Sequence, residues 1–174
     1  MVKTSSFIGL VLAIQLLAAQ GAFSQGQLTR EDLIFNAKLI MADAGNCALI
    51  TIDKDGLSRA RAMDPFAPED NMVVWLGTNS QSRKVEQIQN NNQVLLYYFD
   101  KEGGSYVIIS GKARIVNDPG KKDTYWKYEW KGFYPDREKD YLLIEVTPQW
   151  IELVSEKYKI FVEGETWQPP IIRF

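Results

Sequence analysis

Short apolar runs separated by tight turns fill residues 47–154, and they constrain the fold more than any other feature. The first two runs flank Lys54-Asp55-Gly56, whose Asp-Gly pair is typical of a β-hairpin turn. Short strands at near-regular spacing favour a closed or split antiparallel barrel. We therefore predict a mainly β (α+β) fold, a six-stranded antiparallel split β-barrel with flanking helices. The predicted strands cover residues 47–53, 58–63, 72–77, 94–99, 106–116 and 141–154, with a break at Pro148 in the last one.

Three helices are predicted around this sheet. Thr29 and Asp32 have the spacing of a capping box at the start of the first helix, and Gly45 ends it. The other predicted helices cover residues 80–90 and run from Pro119 through Trp130. The apolar tail, residues 167–174, would be costly to expose to water. We expect it to dock on its own barrel or on a partner subunit.

The N-terminal segment has the layout of a secretory signal peptide. An apolar run over residues 7–19 follows Lys3 and precedes small and polar residues. The run is short for a membrane span, which needs about 20 apolar residues. We predict that residues 1–24 are a signal peptide, although cleavage after Gly21 or Ala22 is nearly as acceptable.

Removal of the signal leaves residues 25–174, a length that suits a single domain. We expect this domain to be secreted or periplasmic and to have no stable membrane insertion after signal cleavage.

The composition excludes several kinds of chemistry. The chain has no histidine, which excludes histidine-based triads, histidine-ligated haem and nearly every catalytic zinc site. Cys47 is the sole cysteine, so no intramolecular disulfide can form. Because Cys47 lies in an apolar predicted strand, we expect it to be a small buried residue rather than a nucleophile. The net charge of −2, with no run of lysine and arginine, argues against a nucleic acid partner. Any anion site must therefore be a local concentration of cations.

Such a concentration is found between residues 58 and 84. Arg59 and Arg61 alternate along a predicted strand and therefore share one of its faces. Two arginines on one strand can equally belong to a solvent-exposed surface. However, an arginine side chain at a strand end close to the apolar run 72–77 can reach the rim of a pocket. We favour Arg61 over Arg59 as a ligand-binding residue.

The start of the second predicted helix supplies the other half of this site. Unpaired N–H groups and the positive end of the helix dipole favour an anion there. Ser82 adds a hydroxyl, and Arg83 and Lys84 add positive charges that the dipole opposes. An anionic ligand would offset that conflict; the alternative is that both side chains extend into water. Together the two halves predict a phosphate site.

Several segments of the chain resemble, in order and spacing, the pyridoxamine 5'-phosphate oxidase-like superfamily, and in particular its general stress protein branch. The resemblance covers residues 30–155, and its distinctive parts are Thr78 with Ser82-Arg83-Lys84 and the segment Ser110-Gly111-Lys112-Ala113-Arg114. The supporting segments are Ala48-Leu49-Ile50-Thr51-Ile52-Asp53-Lys54-Asp55-Gly56, Arg59-Ala60-Arg61-Ala62-Met63, Val74-Trp75-Leu76-Gly77 and Asn91-Asn92-Gln93-Val94.

The resemblance implies a homodimer that holds two FMN molecules in clefts between its subunits. The phosphate-binding arginine of the family falls on Arg61. Met63 and residues 75–77 would line the isoalloxazine edge, and Gln149 and Trp150 would approach the flavin from the opposite subunit. The implied cofactor-binding residues are Arg61, Met63, Thr78, Ser82, Arg83 and Lys84.

The function expected from these features is that of an exported flavoprotein, an FMN-dependent oxidoreductase acting on a small molecule. The substrate-phosphate residues of the true pyridoxamine phosphate oxidases are not found, so oxidation of vitamin B6 is not expected. Two alternatives stay open. The chain could be a non-catalytic module that binds flavin or another phosphorylated ligand, or a barrel with an empty pocket that serves assembly. The sequence does not identify catalytic residues.

Overall fold

The computed structural model describes residues 28–174. The predicted signal peptide, residues 1–24, lies outside the described residues, and the predicted division of the chain at that point stays a prediction. The helices are α1 (Arg30–Ala44), α2 (Arg83–Asn90), α3 (Pro119–Thr124) and α4 (Arg137–Asp140), with a 3₁₀ helix at Tyr128–Gly132. The strands are β1 (Cys47–Ile52), β2 (Ser58–Met63), β3 (Val74–Asn79), β4 (Gln93–Asp100), β5 (Ser105–Val116), β6 (Tyr141–Ser155) and β7 (Ile171–Arg173).

The strands form one antiparallel sheet in the order β2-β1-β4-β5-β6-β3. The sheet does not close between its two end strands, β2 and β3, where an isolated bridge joins Pro65 to Leu76. The predicted α+β fold with a split antiparallel barrel is therefore confirmed. The predicted count of six strands omits β7, a three-residue strand in which the apolar tail pairs with β6. The tail thus docks on its own sheet.

Alternation along the strands separates a buried inner face from a partly exposed outer face. In β1, Cys47, Leu49 and Thr51 are buried, whereas the residues between them are only partly buried. The period of two in side-chain direction produces this pattern. α1 covers the inner face with Ala37, Ile40 and Met41. The outer face of β3 and β6 is covered instead by aromatic residues that follow β5, among them Tyr125 and Trp130, in a second cluster.

The boundaries of α1 agree with the prediction. The backbone N–H of Asp32 donates to Thr29 Oγ1 at 3.1 Å, and the N–H of Thr29 donates to Asp32 Oδ2 at 2.9 Å, which completes a capping box. Gly45 has a φ of 69°, and its N–H donates to the carbonyl of Met41 at 3.1 Å. Among residues 28–174, no helix has the length and apolar character that crossing a membrane requires.

Among the predicted boundaries that differ from the structure, three do so for clear local reasons. α2 begins at Arg83 rather than at residue 80, because the N–H of Ser82 bonds to the carbonyl of Asn79 in a turn. β3 begins at Val74 rather than at residue 72, because Met72 has a φ of 64° that a strand does not tolerate. The third predicted helix ends at Thr124, and the chain reaches Trp130 in a separate 3₁₀ turn.

At the predicted break, Pro148, the structure has a bulge rather than a strand end, since β6 runs without interruption past this residue. The irregularity lies beside Pro148 in β6 itself, because Ser110 pairs with Trp150 and Gly111 with Pro148, which leaves Gln149 without a partner on β5. A bulge of this kind accommodates a proline, which has no N–H to donate to the ladder. Gly111 faces Pro148 directly, and a Cβ at Gly111 would lie 3.1 Å from Pro148 Cα.

Candidate functional site

A cleft of about 420 Å³ lies where β2 and β3 end and α2 begins. It contains four of the six residues that the sequence assigns to cofactor binding. Gly77 and Asp64 contribute to the same cleft, and aromatic residues from the segment after α3 form another part of its wall. Its lining consists of Ala62, Met63, Asp64, Gly77, Thr78, Asn79, Ser82, Lys84, Trp130, Phe133 and Tyr134.

Lys84 is the cation of this cleft. Its ammonium donates to Thr78 Oγ1 at 3.1 Å and to Ser82 Oγ at 2.8 Å, and both acceptors are uncharged. Burial lowers the pKa of Lys84, and the positive charge of Arg61 lowers it further. None of the salt bridges formed within residues 28–174 involves Lys84. The site therefore holds a partly buried positive charge without an acidic partner in the described chain.

The start of α2 adds backbone donors beside this charge. Ser82 is the N-cap residue, but its hydroxyl makes no capping hydrogen bond and instead accepts from Lys84. Within the described part of the chain, the N–H groups of Arg83 and Lys84 have no hydrogen-bond acceptor. Such groups at a helix N-terminus favour an anion.

Arg61 lies on the inner face of β2, next to the cleft rather than in its lining. One of its terminal nitrogens donates to Thr51 Oγ1 at 2.7 Å and the other to Gln87 Oε1 at 2.8 Å. Burial lowers the pKa of Arg61, as do the charges of Arg83 and Arg59. In residues 28–174, Arg61 likewise takes no part in a salt bridge.

Arg59 and Arg83 have a different environment. Arg59 Nε donates to Asp53 Oδ2 at 2.7 Å, so its charge is neutralised by a neighbour. Arg59 and the exposed Arg83 both line a smaller pocket of about 240 Å³, which also contains Asp53 and Glu86. The structure thus brings Met63, Thr78, Ser82 and Lys84 together, with Arg61 beside them, whereas Arg83 lines the smaller pocket with Arg59.

Of residues 75–77, which were predicted to line the isoalloxazine edge, Gly77 lines the cleft, whereas Trp75 and Leu76 do not. Trp75 is buried beneath Tyr125, with the two rings stacked at a centroid distance of 4.7 Å. Its indole N–H donates to Glu69 Oε1 at 2.8 Å. Trp75 therefore belongs to the packing of the outer face of β3.

The aromatic wall of the cleft is absent from the sequence prediction. Trp130 contacts Gly77 so closely that a Cβ at Gly77 would lie 2.9 Å from Trp130 Cη2. The indole N–H of Trp130 donates to Asp64 Oδ2 at 3.3 Å, and Lys127 Nζ donates to Asp64 Oδ1 at 2.5 Å. Phe133, which follows Trp130 by three residues, is largely exposed. The concentration of aromatic residues after position 124 is the one sequence feature that indicates this wall, but it does not reveal which strand these residues cover.

Two further predictions concern residues away from the cleft. Cys47 is buried, as expected, and burial raises the pKa of its thiol to about 12. Gln149 and Trp150 lie on β6, where Trp150 pairs with Ser110. Their contact with a flavin from the opposite subunit stays a prediction. No group of three acidic, cysteine or histidine side chains in residues 28–174 is arranged to hold a metal ion.

Comparison with known proteins assigns the family. A family model described as pyridoxamine 5'-phosphate oxidase like matches residues 36–156. General stress protein 26 of Bacillus subtilis (strain 168) is 31% identical over 122 residues, which cover 68% of this chain and 85% of that protein. The chain belongs to the pyridoxamine 5'-phosphate oxidase-like family, as the sequence resemblance predicted.

Solved structures share the fold at lower sequence identity. A protein related to general stress protein 26 from Clostridium acetobutylicum has a TM-score of 0.68 and 20% identity, with 83% of this chain and 96% of that chain covered. A pyridoxamine 5'-phosphate oxidase-related, FMN binding protein from Nostoc punctiforme has a TM-score of 0.57 and 12% identity, with coverage of 86% and 99%.

The environment of Lys84 generates a direct prediction. We expect the side chain of Lys84 to titrate below the usual lysine pKa of 10.5, because burial and Arg61 both disfavour its charged form. NMR titration of the lysine side chains, with Lys84→Arg used to assign the signal, measures this pKa. In Arg61→Gln the pKa of Lys84 should rise, since a like charge is removed. A pKa at or above 10.5 in the unsubstituted protein would contradict this description of the site.

Proposed function

We propose that this chain binds FMN, with the phosphate held between Arg61 and the start of α2. The observation that carries the proposal is the pair of partly buried cations, Arg61 and Lys84, which have no carboxylate partner in residues 28–174. A buried charge is costly unless an opposite charge or hydrogen bonds compensate it. A phosphate dianion would provide that compensation for both cations.

The other groups at this end of the cleft suit the same ligand. Thr78 and Ser82 provide hydroxyls beside Lys84, and the first turn of α2 provides backbone N–H groups. Hydroxyls, helix N-termini and charged donors are the groups that bind phosphate in proteins. The charge of Arg59 is already paired with Asp53, which supports the preference for Arg61.

The rest of the cleft suits a flat aromatic ring system. Met63, Gly77 and Trp130 form an apolar surface beside the phosphate site, and Tyr134 contributes a hydroxyl. The ordinary pKa of a tyrosine is about 10 and burial raises that of Tyr134, so its hydroxyl is protonated near neutral pH and can donate a hydrogen bond. The name of the Nostoc punctiforme neighbour, an FMN binding protein, supports flavin as the ligand.

We further propose that the protein is an oxidoreductase that acts on a small molecule. When bound, FMN supplies hydride or electron transfer. The residues of the chain would bind the phosphate, orient the ring and exclude water from one of its sides. The cleft opens to solvent beside the exposed Phe133, which leaves room for a second molecule to enter.

A second copy of the chain is the partner we propose. The outer face of β1, β2 and β4 is apolar and partly exposed, and Phe99 on it is 53% exposed. Arg61, whose side chain lies on the inner face, borders the same shallow depression as Ala62 and Tyr97 of the outer face. Exposed apolar surfaces of this kind mark protein interfaces. A partner on this face would lie beside the proposed phosphate site.

We also propose that the protein is exported. The N-terminal residues have the composition of a secretory signal, and we propose that residues 1–24 direct the chain out of the cytoplasm. The flavin would then bind in the secreted or periplasmic compartment.

The double variant Arg61→Ala/Lys84→Ala tests the site. Each charge-assisted phosphate contact contributes about 1.5–3 kcal/mol, so FMN affinity should fall at least ~100-fold. Isothermal titration calorimetry measures the affinity, and thermal unfolding verifies that the barrel is intact. Lys101→Ala/Lys112→Ala is the matched control, because it removes the same charge from exposed positions outside the cleft. An FMN affinity that is equal in both double variants would refute the assignment.

The redox proposal is tested by anaerobic mixing with NADH or NADPH. We expect bound FMN to be reduced faster than free FMN at the same concentration, because the cleft holds the ring in one orientation beside an open mouth. Loss of the flavin absorption bands measures the rate. A rate equal to that of free FMN with both donors would favour the non-catalytic binding module.

The dimer proposal is tested with one phenylalanine on each of two surfaces. Phe99→Glu places a charge on the apolar outer face and should halve the mass measured by analytical ultracentrifugation. Phe35 on α1 is 63% exposed, and Phe35→Glu should leave the mass unchanged. A monomeric unsubstituted protein, or a dimer that survives Phe99→Glu, would contradict the proposed interface.

A further inference from the structure

Gln87 occupies a position in α2 where an apolar residue would be expected. It lies between the first-turn residues and Ile88, faces the barrel and is only 9% exposed. A buried amide costs free energy unless it is hydrogen-bonded. Its contacts therefore show what the polar group does at this position.

The side chain of Gln87 closes a ring of three hydrogen bonds with Arg61 and Thr51. Its carbonyl oxygen accepts from Arg61 at 2.8 Å and from the hydroxyl of Thr51 at 2.7 Å. The same Thr51 hydroxyl accepts from the other terminal nitrogen of Arg61 at 2.7 Å.

Thr51 is a second polar residue at an apolar position. It is fully buried on the inner face of β1, where Cys47 and Leu49 precede it in the same alternation. Two polar side chains, one from a strand and one from a helix, thus meet at the guanidinium of Arg61. No other hydrogen bond of this guanidinium is made to residues 28–174, so its remaining N–H groups stay available.

The two hydrogen-bond acceptors around Arg61, Thr51 and Gln87, are both uncharged. An amide and a hydroxyl fix the plane of the guanidinium but leave its positive charge uncompensated. Arg59 shows the opposite arrangement two residues earlier, since Asp53 accepts from it at 2.7 Å and neutralises it. A neutral pair of acceptors is the arrangement that orients a cation while preserving its attraction for an anion.

We propose that Gln87, with Thr51, is a positioning residue that holds Arg61 toward the phosphate group of the ligand without neutralising it. The inference rests on the proposed function, in which Arg61 binds that phosphate. Because Gln87 acts only through Arg61, its contribution is specific to the phosphorylated form of the flavin.

The test compares the affinities of FMN and riboflavin, which lacks the phosphate, in variants of Gln87 made with and without Arg61. Gln87→Leu removes the acceptor, and Gln87→Glu keeps the acceptor but adds a charge that neutralises Arg61. We expect both to weaken FMN binding by about tenfold. Riboflavin affinity should change less than about twofold in either variant. In an Arg61→Ala background, Gln87→Leu should cause no further loss of FMN affinity.

Several outcomes would overturn the inference. Equal losses for FMN and riboflavin would mean that Gln87 only maintains the fold. Unchanged FMN affinity in Gln87→Leu, or a loss that persists in the Arg61→Ala background, would mean that Gln87 does not act through Arg61. Should Gln87→Leu fail to fold, Gln87→Met, which has a similar length and also lacks the amide acceptor, takes its place. An unsubstituted protein that binds no FMN would instead overturn the proposed function itself.

Discussion

The cost of burying a positive charge without an acidic partner is the constraint on which this end of the barrel depends. Lys84 and Arg61 are both partly buried, and burial lowers the pKa of each. Their neighbours in the described chain are hydroxyls and an amide, which hold the side chains in place. Because these groups leave the charges uncompensated, the arrangement is suited to an anion that arrives from outside the chain.

The barrel positions these cations through elements that are distant in sequence. β2 presents Arg61, the end of β3 presents Thr78, and the start of α2 presents Lys84. A fourth contribution comes from the aromatic segment after α3, which lies on β3 because Gly77 has no side chain to prevent the approach of Trp130. One wall of the cleft is therefore polar and cationic, and another is aromatic. A phosphorylated aromatic cofactor such as FMN matches both walls.

The parts of this structure that local chemistry determines could be predicted from the sequence. Thr29, Asp32 and Gly45 mark the limits of α1, and alternation places Arg59 and Arg61 on one face of β2. The grouping of Thr78, Ser82 and Lys84 also follows from a short strand-to-helix connection. The sequence does not determine which cation a neighbour neutralises, and the pairing of Arg59 with Asp53 emerges only from the hairpin geometry.

The contacts that depend on tertiary packing could not be predicted in this way. Trp130 is more than fifty residues from Gly77, and only the folded chain brings the two together. Trp75 was expected at the cleft, but Tyr125 covers it on the outer face of β3. Gln87 is one of several polar residues in α2, and only the folded chain turns it toward Arg61 and buries it.

The central claim is that Arg61 and Lys84 hold the phosphate of FMN, and a crystal structure of the protein grown with saturating FMN tests it most directly. The account predicts one FMN for each chain, with phosphate oxygens within hydrogen-bond distance of Lys84 Nζ and of the Arg61 guanidinium. An FMN whose phosphate lies away from both side chains, or a cleft that stays empty at saturating FMN, would contradict the account.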